Sequence, residues 1–350
     1  MESSQIESNQ APAKKKRWMP VIIAIILGVF LFISVMINLM QGMTLMLKNA
    51  GGAMGDESDE FPMFTETTSW GAGDTKVVRI AIDGAIMRGG APTLLGNTID
   101  KVELVLEQVR AATVDEDVKA IILEVNSPGG GVTASDEIYQ ALQDFKSQQE
   151  GRKIVVYMKD LAASGGYYVA MAGDWLVAQP TSILGSIGVI MQSVNFHGFV
   201  EKHGISDTTI KSGENKDLMN PFQPVPEEQR ELLQELIDAM YNRFSGLVAQ
   251  GRSMDENKLK IFADGRVFDS DTALEHGFID EIGYWQDVVE QTEKLLGQEE
   301  VHFVRYEKSV DFMQMLAGMK EPLEVDNGIE KVLRDPFSVS TPQLLYMWRP

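Results

Sequence analysis

Residues 118–131 read VKAIILEVNSPGGG, an apolar run that ends in a proline and three glycines. The apolar run predicts a buried strand, and the amphipathic stretch 132–148 predicts a helix with Ile138, Leu142 and Phe145 on one face. Between them, the glycines let the backbone turn and leave its N–H groups unobstructed, as a site for a developing oxyanion requires. The alternative is a plain strand-to-helix turn. A phosphate-binding loop is not indicated, because no lysine follows the glycines.

The alternation of strand and helix continues on both sides of this segment. The predicted strands are 76–83, 153–158 and 175–178, and the predicted helices are 98–112, 164–172, 226–252, 271–276 and 285–296. The longest helix is expected to bury a stripe made of Leu232, Leu233, Leu236, Ile237 and Met240. Strands that alternate with helices predict an α/β fold in which helices cover a mainly parallel sheet.

Charge and composition exclude several classes of function. The 350 residues include 31 basic and 51 acidic side chains, for a formal net charge of −20. So acidic a chain repels phosphate backbones, and we expect no nucleic-acid partner. The chain has no cysteine, which excludes disulfides, thiol nucleophiles and cysteine-ligated zinc. The lack of cysteine fits an oxidising compartment.

The N-terminal segment has the pattern of a membrane anchor. Residues 14–17 are KKKR, and residues 21–39 are almost wholly apolar. About 20 apolar residues suffice to cross a bilayer, and the preceding basic cluster keeps the N-terminus in the cytoplasm. We predict a cytoplasmic tail (1–17), a transmembrane helix (18–41) and a linker (42–75) that carries the body outside the cytoplasm. A cleaved signal peptide is the alternative, but the apolar run is too long and no A-x-A site closely follows it.

A serine among small residues is the first candidate for chemistry. Ser164 lies in AASGGYY, residues 162–168, just past a predicted strand and at the start of a predicted helix. The N-terminus of a helix offers free N–H groups, and the N–H of Gly165 is next to the hydroxyl. The alternative is that Ser164 only caps the helix.

A serine nucleophile needs a base, and the residues alone leave its identity open. No histidine has a small-residue or glycine-rich setting; the four are His197, His203, His276 and His302. A lysine can act only if burial or nearby positive charge lowers the pKa of its ammonium group. Lys211 and Lys216 in KSGENKD are both candidates, and the Ser186 hydroxyl could orient a neutral amine. Either lysine could equally be a plain surface residue.

Five motifs in order resemble the signal peptide peptidase family, also called SppA or protease IV. They are SPGG (127–130), AASGGYY (162–168), GSIGVI (185–190), KSGENKD (211–217) and ADGRVFDSDTALEHGFIDEIG (263–283). The similarity runs from about residue 77 to about residue 296, and the length resembles the short, single-copy form of the family. The arrangement of anchor, linker and exported body is also similar.

The resemblance implies a ClpP/crotonase-like fold and a serine–lysine dyad. It implies that Ser164 is the nucleophile, that Lys216 rather than Lys211 is the general base, and that Ser186 orients the base. The oxyanion donors implied by the family are the N–H groups of Gly130 or Gly131 and of Gly165. No metal or organic cofactor is implied.

The resemblance also implies the substrates and the assembly. The substrates would be cleaved signal peptides and other apolar unfolded peptides, and the chain would form a homo-oligomer. The peptidase domain is placed at 76–300 and a C-terminal extension at 301–350. Two rival functions are a crotonase-like enzyme that acts on acyl-CoA thioesters and an inactive membrane scaffold. Neither rival gives Ser164 and Lys216 a role.

Overall fold

The computed structural model describes residues 25–39, 62–89, 91–92, 98–308 and 343–348. The predicted cytoplasmic tail (1–17) and most of the predicted linker (42–75) lie outside the described residues. The chain divides into two compact units, Met1–Glu57 and Ser58–Pro350.

In the first unit, residues 25–39 form a helix, α1, whose apolar side chains are exposed. The predicted transmembrane helix covers 18–41, so its two ends lie outside the described residues. Within the described parts of the chain, no helix combines the length and the apolar character that crossing a bilayer requires.

The second unit is built on a mixed, mainly parallel sheet. Its main path has the order β1-β13-β2-β5-β7-β8-β12. Off this path, β9 pairs with the C-terminal end of β7 on one side and with β11 on the other. The strands are β1 Thr65–Trp70, β2 Thr75–Asp83, β5 Val118–Ser127, β7 Lys153–Ala163, β8 Trp175–Ala178, β9 Ile183–Gly185, β11 Val267–Phe268, β12 Glu281–Ile282 and β13 Val301–Glu307. Neighbouring strands are parallel except in the pairs β1–β13 and β9–β11. The predicted α/β fold with a mainly parallel sheet is confirmed.

Helices cover both faces of the sheet. They are α2 Lys101–Val114, α3 Val132–Gln148, α4 Gly165–Ala170, α5 His197–Lys202, α6 Glu227–Gly251, α7 Glu256–Lys260, α8 Ser270–Glu275 and α9 Trp285–Leu296. Along β5, Ile121 and Leu123 point into the larger core, and Ala120 and Ile122 point into the core under α9. This alternation follows from the two-residue period of a strand, and burial on both sides explains why the run is almost entirely apolar.

A second, smaller sheet lies at the glycine-rich segment. It has the order β10-β14-β6, where β6 is Gly129–Gly131, β10 is Ile190–Gln192 and β14 is Gln343–Met347. Two further short strands, β3 Ala91–Pro92 and β4 Thr98–Ile99, pair with each other.

The structure differs from the sequence predictions in three places. The predicted linker (42–75) contains β1, which pairs with β13 at the edge of the main sheet. The predicted C-terminal extension (301–350) contains β13 and β14, so both of these strands belong to the fold. The predicted buried stripe of α6 is wrong in part, because Leu232 and Leu236 are exposed within a single chain.

Candidate active site

Ser164 lies between the end of β7 and the start of α4, and its backbone is strained. Its φ of 53° and ψ of −115° fall in a region that residues with a Cβ rarely adopt, at a cost of about 1–3 kcal/mol. Two backbone hydrogen bonds fix it: its N–H donates to Gly185 O (2.7 Å), and its carbonyl accepts from Tyr168 N–H (2.8 Å). The side chain makes no capping hydrogen bond. The alternative that Ser164 only caps the helix is therefore wrong.

Ser186 has the same unusual backbone geometry beside Ser164. Its φ is 51°, it is 6% exposed, and its N–H donates to Arg266 O (2.8 Å). In the parallel pairing of β7 with β9, Ala163 is opposite Gly185, so Ser164 and Ser186 are the next residues on neighbouring strands. The structure thus brings these two predicted site residues together.

The glycine segment packs directly against the start of α4. A Cβ on Gly129 would collide with the Gly165 nitrogen, and a Cβ on Gly165 would lie 2.5 Å from Ser135 Oγ. Only glycines allow the two backbones to approach this closely, and Gly129 also has a φ of 92° that favours glycine. Gly129, which precedes the predicted donors Gly130 and Gly131, therefore packs against Gly165, the residue after Ser164.

The individual glycine amides are not equivalent. The Gly131 N–H donates to Ile86 O (2.8 Å), and the Gly129 N–H donates to Ser127 Oγ (3.1 Å). Gly130 lies opposite Tyr346 in the pairing of β6 with β14. Of the three predicted donors, Gly131 bonds to Ile86 and Gly130 is paired with Tyr346 in the ladder, while a Cβ on Gly165 would lie 3.0 Å from Tyr346 O.

Two buried serines that the sequence reasoning did not assign hold the glycine segment at both ends. Ser127 Oγ accepts from Gly129 N–H, and Ser135 Oγ donates to Gly131 O (3.0 Å). Both serines are fully buried. The available signal was their spacing, because Ser127 precedes the glycines and Ser135 is one helical turn after them.

Lys216 is exposed, in a short 3₁₀ helix spanning Glu214–Asp217. Within the described part of the chain, no hydrogen bond joins its amine to Ser164 or Ser186, and no ion pair holds it. By contrast, Lys211 Nζ binds Asp217 Oδ1 (2.7 Å) and Glu214 O (3.1 Å). The two lysines that the sequence left open therefore differ: Lys211 holds its own loop together, and Lys216 is available for another contact.

The histidines are engaged elsewhere. His203 packs on Phe199 (4.4 Å between ring centroids), His276 packs on Phe262 (4.3 Å), and His302 contacts Thr68 (2.9 Å). The ring of His197 contacts Phe222 O (3.3 Å). Among the described residues, none of the four makes a hydrogen bond with Ser164, so a serine–histidine pair does not form.

A cavity of about 560 Å³ lies beside β10. Its lining includes Val189, Met191, Met219, Leu233 and Ile237. Its lining is mixed, since Gln192, Asn195 and Arg230 also contribute, and it lies next to β10, which β14 separates from the glycine segment.

Comparisons with known proteins identify the family. The model of peptidase family S49 matches residues 146–299, and the Clp protease model matches residues 93–183. A putative signal peptide peptidase SppA from Enterococcus faecium is 38% identical over 65% of this chain and 66% of its own length. A putative protease from Methanocaldococcus jannaschii is 37% identical over 55% of this chain and 61% of its own length. The chain thus covers less than two thirds of both these relatives.

Two further matches were found. A putative protease from Synechocystis is 36% identical over 63% of this chain and 75% of its own length. A ClpP1 variant from Listeria monocytogenes matches with 18% identity and a TM-score of 0.39, over 60% of this chain and 93% of that one. The structural likeness is weak, and the assignment rests on the sequence relatives. The resemblance to the signal peptide peptidases is confirmed, and the chain belongs to peptidase family S49.

Proposed function

We propose that this chain is a membrane-anchored serine endopeptidase in which Ser164 is the nucleophile and Lys216 the general base. The observation that carries the proposal is the backbone of Ser164. Its strained conformation leaves the hydroxyl without a hydrogen-bond partner among the described residues, next to the glycine amides at the start of α4. A strained nucleophile beside backbone N–H donors is the arrangement that acyl transfer requires.

The chemistry follows the usual order for a serine peptidase. Neutral Lys216 takes the proton of the Ser164 hydroxyl, and the oxygen attacks a peptide carbonyl carbon. The N–H groups of Gly130 and Gly165 stabilise the tetrahedral oxyanion. Lys216 then gives its proton to the leaving amine, and water hydrolyses the acyl-enzyme. Ser186, next to Ser164, orients the lysine amine. No step requires a metal or an organic cofactor.

The exposure of Lys216 favours a dyad shared between two copies of the chain. Within one chain Ser164 is 1% exposed, whereas Lys216 is exposed and unpartnered among the described residues. The chain segments before and after Lys216 expose many apolar side chains, here called the 190–236 surface: Ile190, Val194, Phe196, Phe199, Ile205, Ile210, Leu232 and Leu236. Exposed apolar patches of this kind mark protein interfaces. Burial in such a contact would also desolvate the amine and favour its neutral form.

The substrates and the location are part of the same proposal. The apolar run 21–39 behind a basic cluster supports a single-pass anchor in the inner membrane, with the N-terminus in the cytoplasm and the body outside. A protease held there meets apolar, unfolded peptides that leave the bilayer. The Enterococcus relative is called a signal peptide peptidase, which supports cleaved signal peptides as substrates.

The first test uses substitutions at the proposed dyad. Ser164→Ala and Lys216→Ala should each abolish cleavage of an apolar peptide, while the circular dichroism spectrum stays unchanged. Lys211→Ala is the matched control from the same loop and should retain substantial activity. A serine-reactive phosphonate should label Ser164 and no other residue. Full activity of either dyad variant would refute the dyad.

Co-expression of the two inactive variants tests whether the dyad is shared. Mixed assemblies would contain contacts in which an intact Ser164 meets an intact Lys216 from the neighbouring copy. Random mixing of equal amounts should restore about a quarter of the wild-type activity. If the dyad forms within one chain, the mixture stays inactive.

A further inference from the structure

The two glycine stretches of the site, 129–131 and 165–166, meet at two buried serines. Ser127 ends β5 just before the first stretch, and Ser135 lies in the first turn of α3 just after it. Both side chains are fully buried. Each serine contacts both glycine stretches, although α3 and β7 separate the two stretches along the chain.

The hydroxyl oxygen of Ser135 lies between Gly131 and Gly165. It donates to Gly131 O (3.0 Å), and an ideal Cβ on Gly165 would come within 2.5 Å of it. A serine that bonds to the carbonyl four residues earlier is ordinary in helices. Here, however, the same oxygen also fills the space that a side chain at position 165 would need. Ser135 therefore connects the start of α3 with the start of α4.

Ser127 makes the second connection. Its Oγ accepts from Gly129 N–H (3.1 Å), a bond that serine readily makes to the backbone two residues ahead. On its other side, a Cβ on Gly166 would lie 2.8 Å from Ser127 O and 3.3 Å from Ser127 Cβ. The end of β5 and the first turn of α4 are thus in direct contact, because the helix has no side chain at this point.

Serine suits both positions because it combines a small volume with one hydroxyl. Alanine at position 127 would leave the Gly129 N–H without its partner, and a larger side chain at either position would push α4 away from the glycine segment. Since protein interiors are close-packed, the two serines set how far apart the two glycine stretches lie. The candidate oxyanion donors belong to these stretches, with the Gly130 N–H on one and the Gly165 N–H on the other.

We propose that Ser127 and Ser135 are positioning residues that set the distance between the two oxyanion donors. This inference rests on the proposed function and deepens it. Because both side chains are fully buried, they act through the glycines and not on the peptide. Correctly spaced donors stabilise negative charge that develops only after the nucleophile attacks. The two serines therefore contribute to kcat and not to the binding of the peptide.

Ser127→Ala and Ser135→Ala, each in the full chain, test the proposal. Phosphonate labelling of Ser164, carried to completion, counts the folded sites, and kcat is expressed per labelled site. We expect kcat per site to fall about tenfold to a hundredfold, because a small displacement of a catalytic group has an effect of that size. The KM for an apolar peptide should stay within about twofold of the wild-type value. An unchanged kcat per site in both variants would overturn the inference.

Ser270→Ala is the matched control for the loss of a buried hydroxyl. Ser270 is fully buried, and its Oγ donates to Gln179 O. That bond connects α8 with the residue after β8 and involves neither glycine stretch. The variant should lose stability, measured by urea unfolding, as Ser127→Ala and Ser135→Ala do. Its kcat per labelled site and its KM should remain those of the wild type.

A peptidyl boronate separates positioning of the donors from a merely structural role. Its boron accepts the Ser164 oxygen and becomes tetrahedral, so the adduct resembles the transition state. In Ser127→Ala and Ser135→Ala its inhibition constant should rise by the factor by which kcat falls, while KM does not change. An unchanged inhibition constant would contradict the inference. A rise shared equally by KM would also contradict it, because the serines would then shape the peptide-binding surface.

The labelling step distinguishes failure of this inference from failure of the proposed function. If Ser164 is not labelled in the wild-type chain, the proposed function is wrong and the inference falls with it. If Ser164 is labelled in the wild type and in both alanine variants, but kcat per site and the boronate inhibition constant do not change, only the positioning inference is wrong.

Discussion

Ser164 and Ser186 share a positive φ, and the N–H of each donates to a backbone carbonyl of a neighbouring segment. Ser164 N–H bonds to Gly185 O and Ser186 N–H bonds to Arg266 O. These bonds connect Ser164 through β9 to the turn before β11. The strain is thus sustained by neighbouring strands, as strained functional residues require.

The strain predicts an unusual order of stability among inactive variants. Ser164→Gly should unfold with a free energy about 1 kcal/mol higher than Ser164→Ala, because glycine adopts a positive φ without steric cost. Urea unfolding of the two variants measures the difference. Glu235 in the exposed middle of α6 is the control, since there glycine should be about 1 kcal/mol less stable than alanine. Equal stability of the two Ser164 variants would show that the site is unstrained.

At the scale of single residues, the sequence alone pointed to the serine and the glycines but could not decide between the two lysines. Ser164 and the glycines stood out because small residues after a strand are a local signal. The choice of Lys216 over Lys211 came only from the resemblance. The physical difference between them, the contact of Lys211 with Asp217, depends on how the loop folds and is not visible in the letters.

At the scale of elements, a buried carboxylate joins four strands of the main sheet. Glu124 of β5 is 2% exposed and pairs with Arg79 of β2 (2.6 Å), Lys159 of β7 (2.5 Å) and Arg305 of β13 (3.4 Å). Burial alone would raise the pKa of Glu124, but Lys159 and Arg79 outweigh it and hold the pKa below its ordinary value. The guanidinium of Arg79 in turn lies 3.8 Å from the ring centroid of Trp285 in α9.

The depressed pKa of Glu124 predicts the direction of a pH effect. Its contribution is fully present above the unfolded value of 4.5 and is lost as the pH falls through the lower folded value. Glu124→Gln should lower the free energy of unfolding by about 3 kcal/mol at neutral pH, because Arg79, whose side chain is 13% exposed, loses its carboxylate partner. Below pH 4.5 the difference from wild type should shrink. Urea unfolding across this range, with exposed Glu231→Gln as control, measures it. A difference independent of pH would exclude titration of Glu124 as the cause.

Some strands were predicted from the sequence and others were missed. Strands β5 and β7 were recognisable because burial on both faces gives apolar runs, and β2 because its buried side chains alternate with more exposed ones from Val78 onward. Strand β1, TETTSW, is polar and lies at the sheet edge, so its sequence resembles a linker. Strand β14 pairs with a segment more than 200 residues away, and no local pattern reveals such a pairing.

At the scale of the whole molecule, the 190–236 surface contains eight of the exposed large apolar side chains among the described residues. Ile210 is 97% exposed, and Phe199, Val194 and Ile205 are each more than half exposed. The periodicity of α6 predicted that Leu232 and Leu236 are covered, whereas both are exposed in the structure. It could not show that the cover is missing within the chain, because periodicity does not distinguish a core from an interface.

A matched pair of leucines tests this surface. Leu236 on α6 is 39% exposed and Leu274 on α8 is 41% exposed, but only Leu236 belongs to the 190–236 surface. Leu236→Asp should reduce the mass in detergent, measured by light scattering, to that of a single chain and abolish peptide cleavage. Leu274→Asp should change neither. An intact assembly in Leu236→Asp would place the interface elsewhere.

The contact of Gly129 with Gly165 has a consequence for inhibitor chemistry. Since no side chain fits at either position, this wall of the site offers a ligand only main-chain hydrogen bonds and close van der Waals contact. A peptidomimetic should therefore keep an extended amide scaffold opposite Gly130 and gain selectivity through its substituents. N-methylation of the ligand's amide at that position would remove its N–H donor. The glycine strand has no side chain that could make a substitute contact with the ligand.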